Sequence, residues 1–229
     1  MSLYVIGDLH LSIGVPEKTM SVFKGWDNYQ EKIKKNWSDI IQPDDVVVLA
    51  GDISWGMSLN ESAPDFEFIN NLAGKKIILK GNHDYWWSTQ NKILNFFREK
   101  NFDTLNILHN NHYKYENYGI CGTRGWINMP DEPADAKILA REAGRLETSI
   151  CSALAENLEP IVFLHYPPVF GNSFNYDILD VLYRHKVKKC FYGHIHGRGH
   201  QLALNGIYDD INFHLISGDY LQFVPKKVM

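Results

Sequence analysis

Apolar residues gather in short continuous runs separated by longer amphipathic stretches. Five runs read as strands: Leu3–Gly7, Val46–Gly51, Lys76–Gly81, Pro160–His165 and Lys189–Gly193. Val46-Val47-Val48-Leu49 and Ile77-Ile78-Leu79 have no polar interruption, as expected of strands covered on both faces. Helical periodicity lies between them. Trp26–Ile41 places Tyr29, Ile33, Trp37 and Ile40 or Ile41 on one stripe. Pro64–Leu72 starts with a proline and carries Phe66, Phe68 and Ile69, and Thr89–Lys100 carries Ile93, Leu94, Phe96 and Phe97. Asp131–Leu158 predicts a long helix with a kink at Pro133, and Asn175–His185 predicts another. Alternation of strand and helix predicts an α/β fold with parallel pairing.

Two regions break the alternation. Tyr113–Tyr115, Ile120-Cys121-Gly122, Ile211–Ile216 and Tyr220–Val224 read as additional strands, some antiparallel. A second sheet packed on the first accommodates them. The expected architecture is therefore α/β, with two packed mixed sheets flanked by helices. No repeat, low-complexity stretch or linker interrupts the 229 residues, so one domain spanning 1–229 is expected. Ser12–Gly25 is a long connection placed to cover whatever forms at the strand ends.

Composition narrows the function classes. Hydrophobic residues make up 45% and charged residues 22%, and the formal net charge is -4, which opposes nucleic acid and anionic membranes as partners. The basic clusters Lys32, Lys34, Lys35 and Lys186, Lys188, Lys189 read as solvated faces. Cys121, Cys151 and Cys190 are scattered and odd in number, which points to reduced thiols rather than a disulfide framework. Nothing resembles a signal peptide or a membrane span, so a cytoplasmic location is expected.

The chemistry sits where the apolar runs stop. Five segments end a run with metal-ligating residue types: Gly7-Asp8-Leu9-His10, Gly51-Asp52-Ile53, Gly81-Asn82-His83-Asp84, His165-Tyr166-Pro167-Pro168 and Gly193-His194-Ile195-His196-Gly197. Asp8 and His10 are two apart, as are His194 and His196, so at a strand end both members of a pair can reach one ion. Asp52, Asn82 and His194 each follow a glycine, which lets the chain turn and leaves room beside a ligand. Strand carboxyl ends are where open α/β sheets bind ligands. Mixed oxygen and imidazole donors suit Mn, Fe, Zn, Co or Ni better than Ca or Mg. No cysteine lies in these segments, which argues against a structural zinc site.

The ordered set Asp-x-His, Gly-Asp, Gly-Asn-His-Asp, His and Gly-His-x-His resembles the calcineurin-like metallophosphoesterase superfamily, over the stretch from Asp8 to His196. The resemblance implies a four-layer α/β/β/α sandwich and a two-metal centre. One ion would take Asp8, His10, Asp52 and His196, and the other Asp52, Asn82, His165 and His194, with Asp52 bridging. It also implies a phosphoesterase in which a hydroxide bridging two divalent or trivalent transition-metal ions attacks phosphorus. His83 is not a ligand in the resembling proteins and is the candidate for protonating the leaving oxygen. The protein Ser/Thr phosphatase branch carries a second Asp and an Arg after Gly-Asp. Here the chain reads Gly51-Asp52-Ile53-Ser54-Trp55-Gly56, so a phosphoprotein substrate is disfavoured and the partner that orients His83 is unidentified. Asp84 is read as a cap for the following helix.

Around this set the readings compete. His109, His112, His185, His200 and His214 lack such context and are read as structural or surface residues. Tyr85, Trp86 and Trp87 read as packing at a helix start, with an aromatic substrate wall as the alternative. Arg124, between Gly122-Thr123 and Gly125-Trp126, either reaches a substrate phosphate or forms a structural salt bridge. Lys18, Met20 and Phe23 read as an ordinary surface loop rather than a lid, and Arg198 as either a phosphate contact or solvated. The expected partner is a small-molecule phosphate ester, monoester or diester, nucleotides included. The competing functions are a nuclease, against which the acidic balance stands, and a non-catalytic metal-binding scaffold on the same fold.

Overall fold

The computed structural model describes residues 1–126 and 136–229. In chain order the strands are β1 (Leu3–Ile6), β2 (Val46–Ala50), β3 (Lys75–Leu79), β4 (Leu105–Ile107), β5 (Tyr113–Tyr115), β6 (Tyr118–Thr123), β7 (Glu159–Leu164), β8 (Val169–Phe170), β9 (Ser173–Phe174), β10 (Lys189–Tyr192), β11 (Gly206–Tyr208), β12 (Ile211–Leu215) and β13 (Lys226–Lys227). The helices are α1 (Tyr29–Ile40), α2 (Ala63–Asn71), α3 (Gln90–Glu99), α4 (Ala136–Leu154) and α5 (Tyr176–Arg184).

One sheet has the order β13-β1-β2-β3-β4 and the other β11-β12-β10-β7-β6-β5. Strands β1 to β4 are mutually parallel, as are β12, β10, β7 and β6; the antiparallel strands of these two sheets, β13, β11 and β5, lie at their edges, and β8 and β9 form a separate antiparallel pair. The strand period of two sorts side chains into layers. In β2, Val47 and Leu49 pack towards α1 and α2, with Ile33, Trp37, Phe66 and Ile69. Val46, Val48 and Ala50 face the other way and meet Ile161, Phe163 and Phe191 of the second sheet. That sheet turns Val162, Leu164, Cys190 and Tyr192 outward onto Leu146 and Ile150 of α4 and Leu179 and Leu182 of α5. Helices, sheet, sheet and helices thus form four layers, as expected. At the parallel strand ends the sheets touch directly, Gly7 N–H donating to the Ile216 carbonyl at 2.8 Å.

The segment Tyr220–Val224 is a correction. It is a turn, with Gln222 and Phe223 at φ 52° and 60°. Phe223 is buried against the rings of Trp26 and Tyr29, and Asn36 of α1 donates to the Gln222 and Phe223 carbonyls. Its apolar residues anchor α1 instead of pairing in a sheet. The long helix ends at Leu154, not Leu158. Asn157 turns left-handed (φ 58°), and Leu158 N–H bonds the Ala153 carbonyl at 3.1 Å. Its expected opening around Pro133 lies outside the described residues. Within Ser12–Gly25, Met20 belongs to the core beside α1 rather than to a loop surface, while Val22 and Phe23 are exposed. No helix among the described residues is long and apolar enough to cross a membrane.

Candidate metal centre

The parallel strands of both sheets release their carboxyl ends at one rim, and the expected ligands gather there. Asp8 and His10 follow β1, Asp52 follows β2, Asn82 follows β3, His165 follows β7, and His194 and His196 follow β10. The turns are tight. Asp8, His10, Asp52 and His194 all hold positive φ, at 56°, 45°, 53° and 71°. A Cβ on Gly81 would come within 2.1 Å of Asp52 Oδ1, and one on Gly193 within 2.4 Å of Asp8 Oδ2. The glycines before the ligands are therefore required by closeness as well as by turning.

The side chains form two groups. Asp8, His10 and His196 offer ligand atoms all within 4.8 Å of one another, and so do Asp52, His165 and His194. Asn82 joins the second group, its Oδ1 lying 2.6 Å from His165 Nε2 and 3.0 Å from His194 Nδ1. Asp52 Oδ2 stands between the groups, 3.7 Å from His10 Nε2 and 3.4 Å from His165 Nε2. His10 and His196 turn Nε2 towards Nε2 at 3.4 Å.

Burial sets the proton states. It holds His10 well below the ordinary imidazole range, His165 at about 3 and His194 at about 2, so their lone pairs are free for a cation. Burial also raises Asp8 to about 8, against the pull of His196, and Asp52 to about 6. His196 runs the other way: burial lowers it, but its hydrogen bond to Asp219 and the charge of Asp8 carry it up to about 9. Three neutral imidazoles stand beside carboxylates raised by burial and a His196 that must give up a proton to ligate, and such a donor set fits transition-metal ions.

Three supporting groups escaped sequence reasoning. Asp219 accepts from His196 Nδ1 at 2.9 Å and from Gly197 N–H at 3.0 Å, and His200 Nε2 lies 3.3 Å from its other oxygen. The signal was present: Ser217-Gly218-Asp219 ends the apolar run of β12 as Gly51-Asp52 ends β2. Trp55 stacks on His10 at 5.0 Å and stands 4.6 Å from His83, and Trp26 meets His10 and His196 edge-on at 5.7 Å.

Asp84 is a second correction. It is buried and caps no helix, since Thr89 caps α3. Its carboxylate accepts the backbone N–H groups of Asp52, Ile53 and Gly81 at 2.9, 2.8 and 2.7 Å, and the Trp86 indole at 2.9 Å. Its position, between two ligand loops rather than next to α3, decides that role.

The calcineurin-like phosphoesterase pattern matches residues 1–198. The chain belongs to the calcineurin-like phosphoesterase family. Like the family, it carries groups suited to divalent metals. Among solved structures, a protein of unknown function from Aquifex aeolicus aligns at TM-score 0.54 and 15% identity, covering 99% of this chain and 95% of the other. A phosphopantetheinyl hydrolase from Mycobacterium tuberculosis aligns at TM-score 0.57 and 14% identity, covering 100% and 95%. These likenesses show the shared fold. No curated protein matches this phosphoesterase chain.

His83 lies beside the candidate ligands without joining either group. Its backbone N–H donates to Asp52 Oδ1 at 2.8 Å, and its Nδ1 lies 3.4 Å from the Tyr85 hydroxyl. Trp86 is buried against Phe66, as packing predicts, whereas Tyr85 is exposed beside His83. Arg124 makes the salt-bridge contact, 3.7 Å from Glu142, and stacks over Trp126 at 4.8 Å. Arg198 is exposed. Among the remaining histidines, His112 pairs with Ser152, His185 with Glu147, and His214 stacks on Phe191.

Proposed function

We propose that this chain is a dinuclear-metal phosphoesterase that hydrolyses a small-molecule phosphomonoester or phosphodiester. The observation that carries the reading is the placement of Asp52 Oδ2 within 3.7 Å of a nitrogen from each ligand group, as a shared carboxylate requires. Asp8, His10 and His196 would hold one ion with Asp52, and Asn82, His165 and His194 the other. When bound, two transition-metal ions, from Mn, Fe, Zn, Co and Ni, would supply an activated water and charge neutralisation for the phosphoryl oxygens.

The chain's residues do the rest. Asp84 fixes the backbone of the Asp52 and Asn82 loops, so the bridging carboxylate enters the reaction already oriented. Asp219 accepts from His196 Nδ1 and so turns Nε2 to the ion. His83 stands at the open edge, where its imidazole protonates the leaving oxygen, and the Tyr85 hydroxyl replaces the carboxylate partner absent from this sequence. The rings of buried Trp26 and half-buried Trp55 pack on His10 and limit water around it. A phosphopantetheinyl hydrolase shares the fold, which agrees with a hydrolytic role.

The test is hydrolysis of p-nitrophenyl phosphate and bis(p-nitrophenyl) phosphate by protein stripped with chelator and reloaded with manganese. Activity that appears with metal supports the enzyme. Stoichiometric metal binding without turnover of either ester leaves the scaffold reading in its place.

A further inference from the structure

A cavity of about 260 Å³ opens at the same rim, one strand out from the ligand cluster. One water needs only roughly 10–15 Å³ on this measure, so a phosphate group fits with solvent to spare. Its walls come from the residues after β3, β4 and β6, the entrance to α3, and the first half of α4. None of the metal-ligand candidates lines it. Yet two of its cations are tied to them through the backbone. Lys80 stands two residues before Asn82. The Arg124 carbonyl accepts the backbone N–H groups of His165 at 3.1 Å and Tyr166 at 2.8 Å.

Among the described residues the charges lining this cavity do not balance. Lys80, Arg124 and Arg145 face one carboxylate, Glu142, so three positive charges minus one negative leave a surplus of two among them. Glu142 is fully buried and already committed. Arg145 holds it at 2.7 Å, and the Thr123 hydroxyl donates to it at 2.7 Å. Arg124 and Arg141 each stand 3.7 Å away. Lys80 has no hydrogen-bond or ion-pair partner among the described residues, and Arg124 Nε is buried without an acceptor. An ion cluster serving only stability would match its cations with carboxylates, because unpaired buried donors are unfavourable. Ser88 and Thr89 bring the N-terminus of α3 to the same space, adding positive potential of the same sign.

We propose that this cavity is a second anion subsite, which binds a phosphate group of the substrate remote from the one being hydrolysed. The natural substrate is then an ester with two phosphate groups. A guanidinium fork and an ammonium converging on one space suit a phosphate dianion. The inference rests on the phosphoesterase reading and adds to it the class of substrate.

The test compares α,ω-alkanediol bisphosphates of increasing chain length with the matching alkyl monophosphates, on the manganese-loaded full chain. At the best length the bisphosphate is expected to exceed its monophosphate in kcat/KM by about tenfold or more, the effect of a charge-assisted contact. In Lys80→Ala that ratio falls towards one, and in Lys80→Arg it is retained. Because each ratio is taken within one protein, partial loss of fold or metal cancels. A wild-type ratio near one at every length, with monophosphates hydrolysed, overturns the subsite and leaves the phosphoesterase standing. Failure to hydrolyse any ester overturns both.

Discussion

The Asp84 carboxylate lies behind Asp52 and accepts its backbone N–H at 2.9 Å, so one acid holds the loop that presents another. Three backbone donors and one indole converge on Asp84. Burial and the charge of Asp52 lift it to about 7. Replacing Asp84 by Ala leaves those donors unsatisfied, at about 1–3 kcal/mol each if water does not enter. Asp84→Ala is expected to lose at least about 3 kcal/mol of stability. Urea denaturation checks this, and a midpoint equal to wild type would contradict the organising role.

Asp219 acts on the opposite side of the centre. Its hydrogen bond to His196 Nδ1 selects the tautomer whose Nε2 faces the ligand group. Removing such a partner typically costs about 10–100-fold in metal affinity. Asp219→Ala should show that loss in competitive chelator titration while keeping its circular dichroism.

His83 is expected to affect rate and not occupancy. His83→Ala should retain both metal ions by elemental analysis and lose about 10²–10⁴-fold in kcat, as for an absent general acid. The loss should shrink for p-nitrophenyl esters, whose leaving group needs little protonation. An unchanged rate on poor leaving groups would refute the assignment.

Metal binding should depend on pH. Before a cation enters, burial keeps Asp8 protonated up to about 8 and Asp52 up to about 6. A cation must displace those protons. His196, carried up to about 9, must lose a proton as well, so affinity rises with pH from about 6 to about 9 and binding releases acid. Calorimetry in buffers of different ionisation enthalpy reads the proton count. The bound ion also stabilises the fold by about 2.7 kcal/mol at a hundredfold excess over Kd, so chelator should lower Tm.

Lys76 offers a separate pH test. It is fully buried in β3, where its ammonium donates to the Leu72 and Gly74 carbonyls at 2.5 and 2.8 Å beyond the end of α2. Burial lowers it from 10.5 to about 8. Between those values the unfolded chain binds more protons than the folded one, so this contribution to stability grows as pH rises and is lost as pH falls through about 8. The stability of wild type minus that of Lys76→Met should therefore increase from pH 8 to 10.5.

The convergence of the candidate ligands was legible because its signal is local and repeated: an apolar strand, a glycine, then a donor. Asp52 and His194 could be placed without knowing the fold. Asp84 was misread because one acid two residues after Asn82 suits a helix cap as well as a loop tie. Only the proximity of the β2 and β3 loops distinguishes them. The Tyr220–Val224 turn was misread for a similar reason, since Phe223 is apolar for the sake of Trp26 and Tyr29, not for a sheet. The cation-lined cavity draws on residues from Lys80 to Arg145, and no window of the sequence brings those together.

The left-handed backbone at His10 and His194 has an evolutionary consequence. A β-carbon in that conformation is uncomfortable, at about 1–3 kcal/mol per residue. Glycine at either position would relax the chain and firm up the empty protein. A lineage released from catalysis should drift towards such replacements, becoming sturdier as it loses its chemistry. Histidine stands at both positions here, so the chain carries that strain at the two places where the proposed centre would need an imidazole.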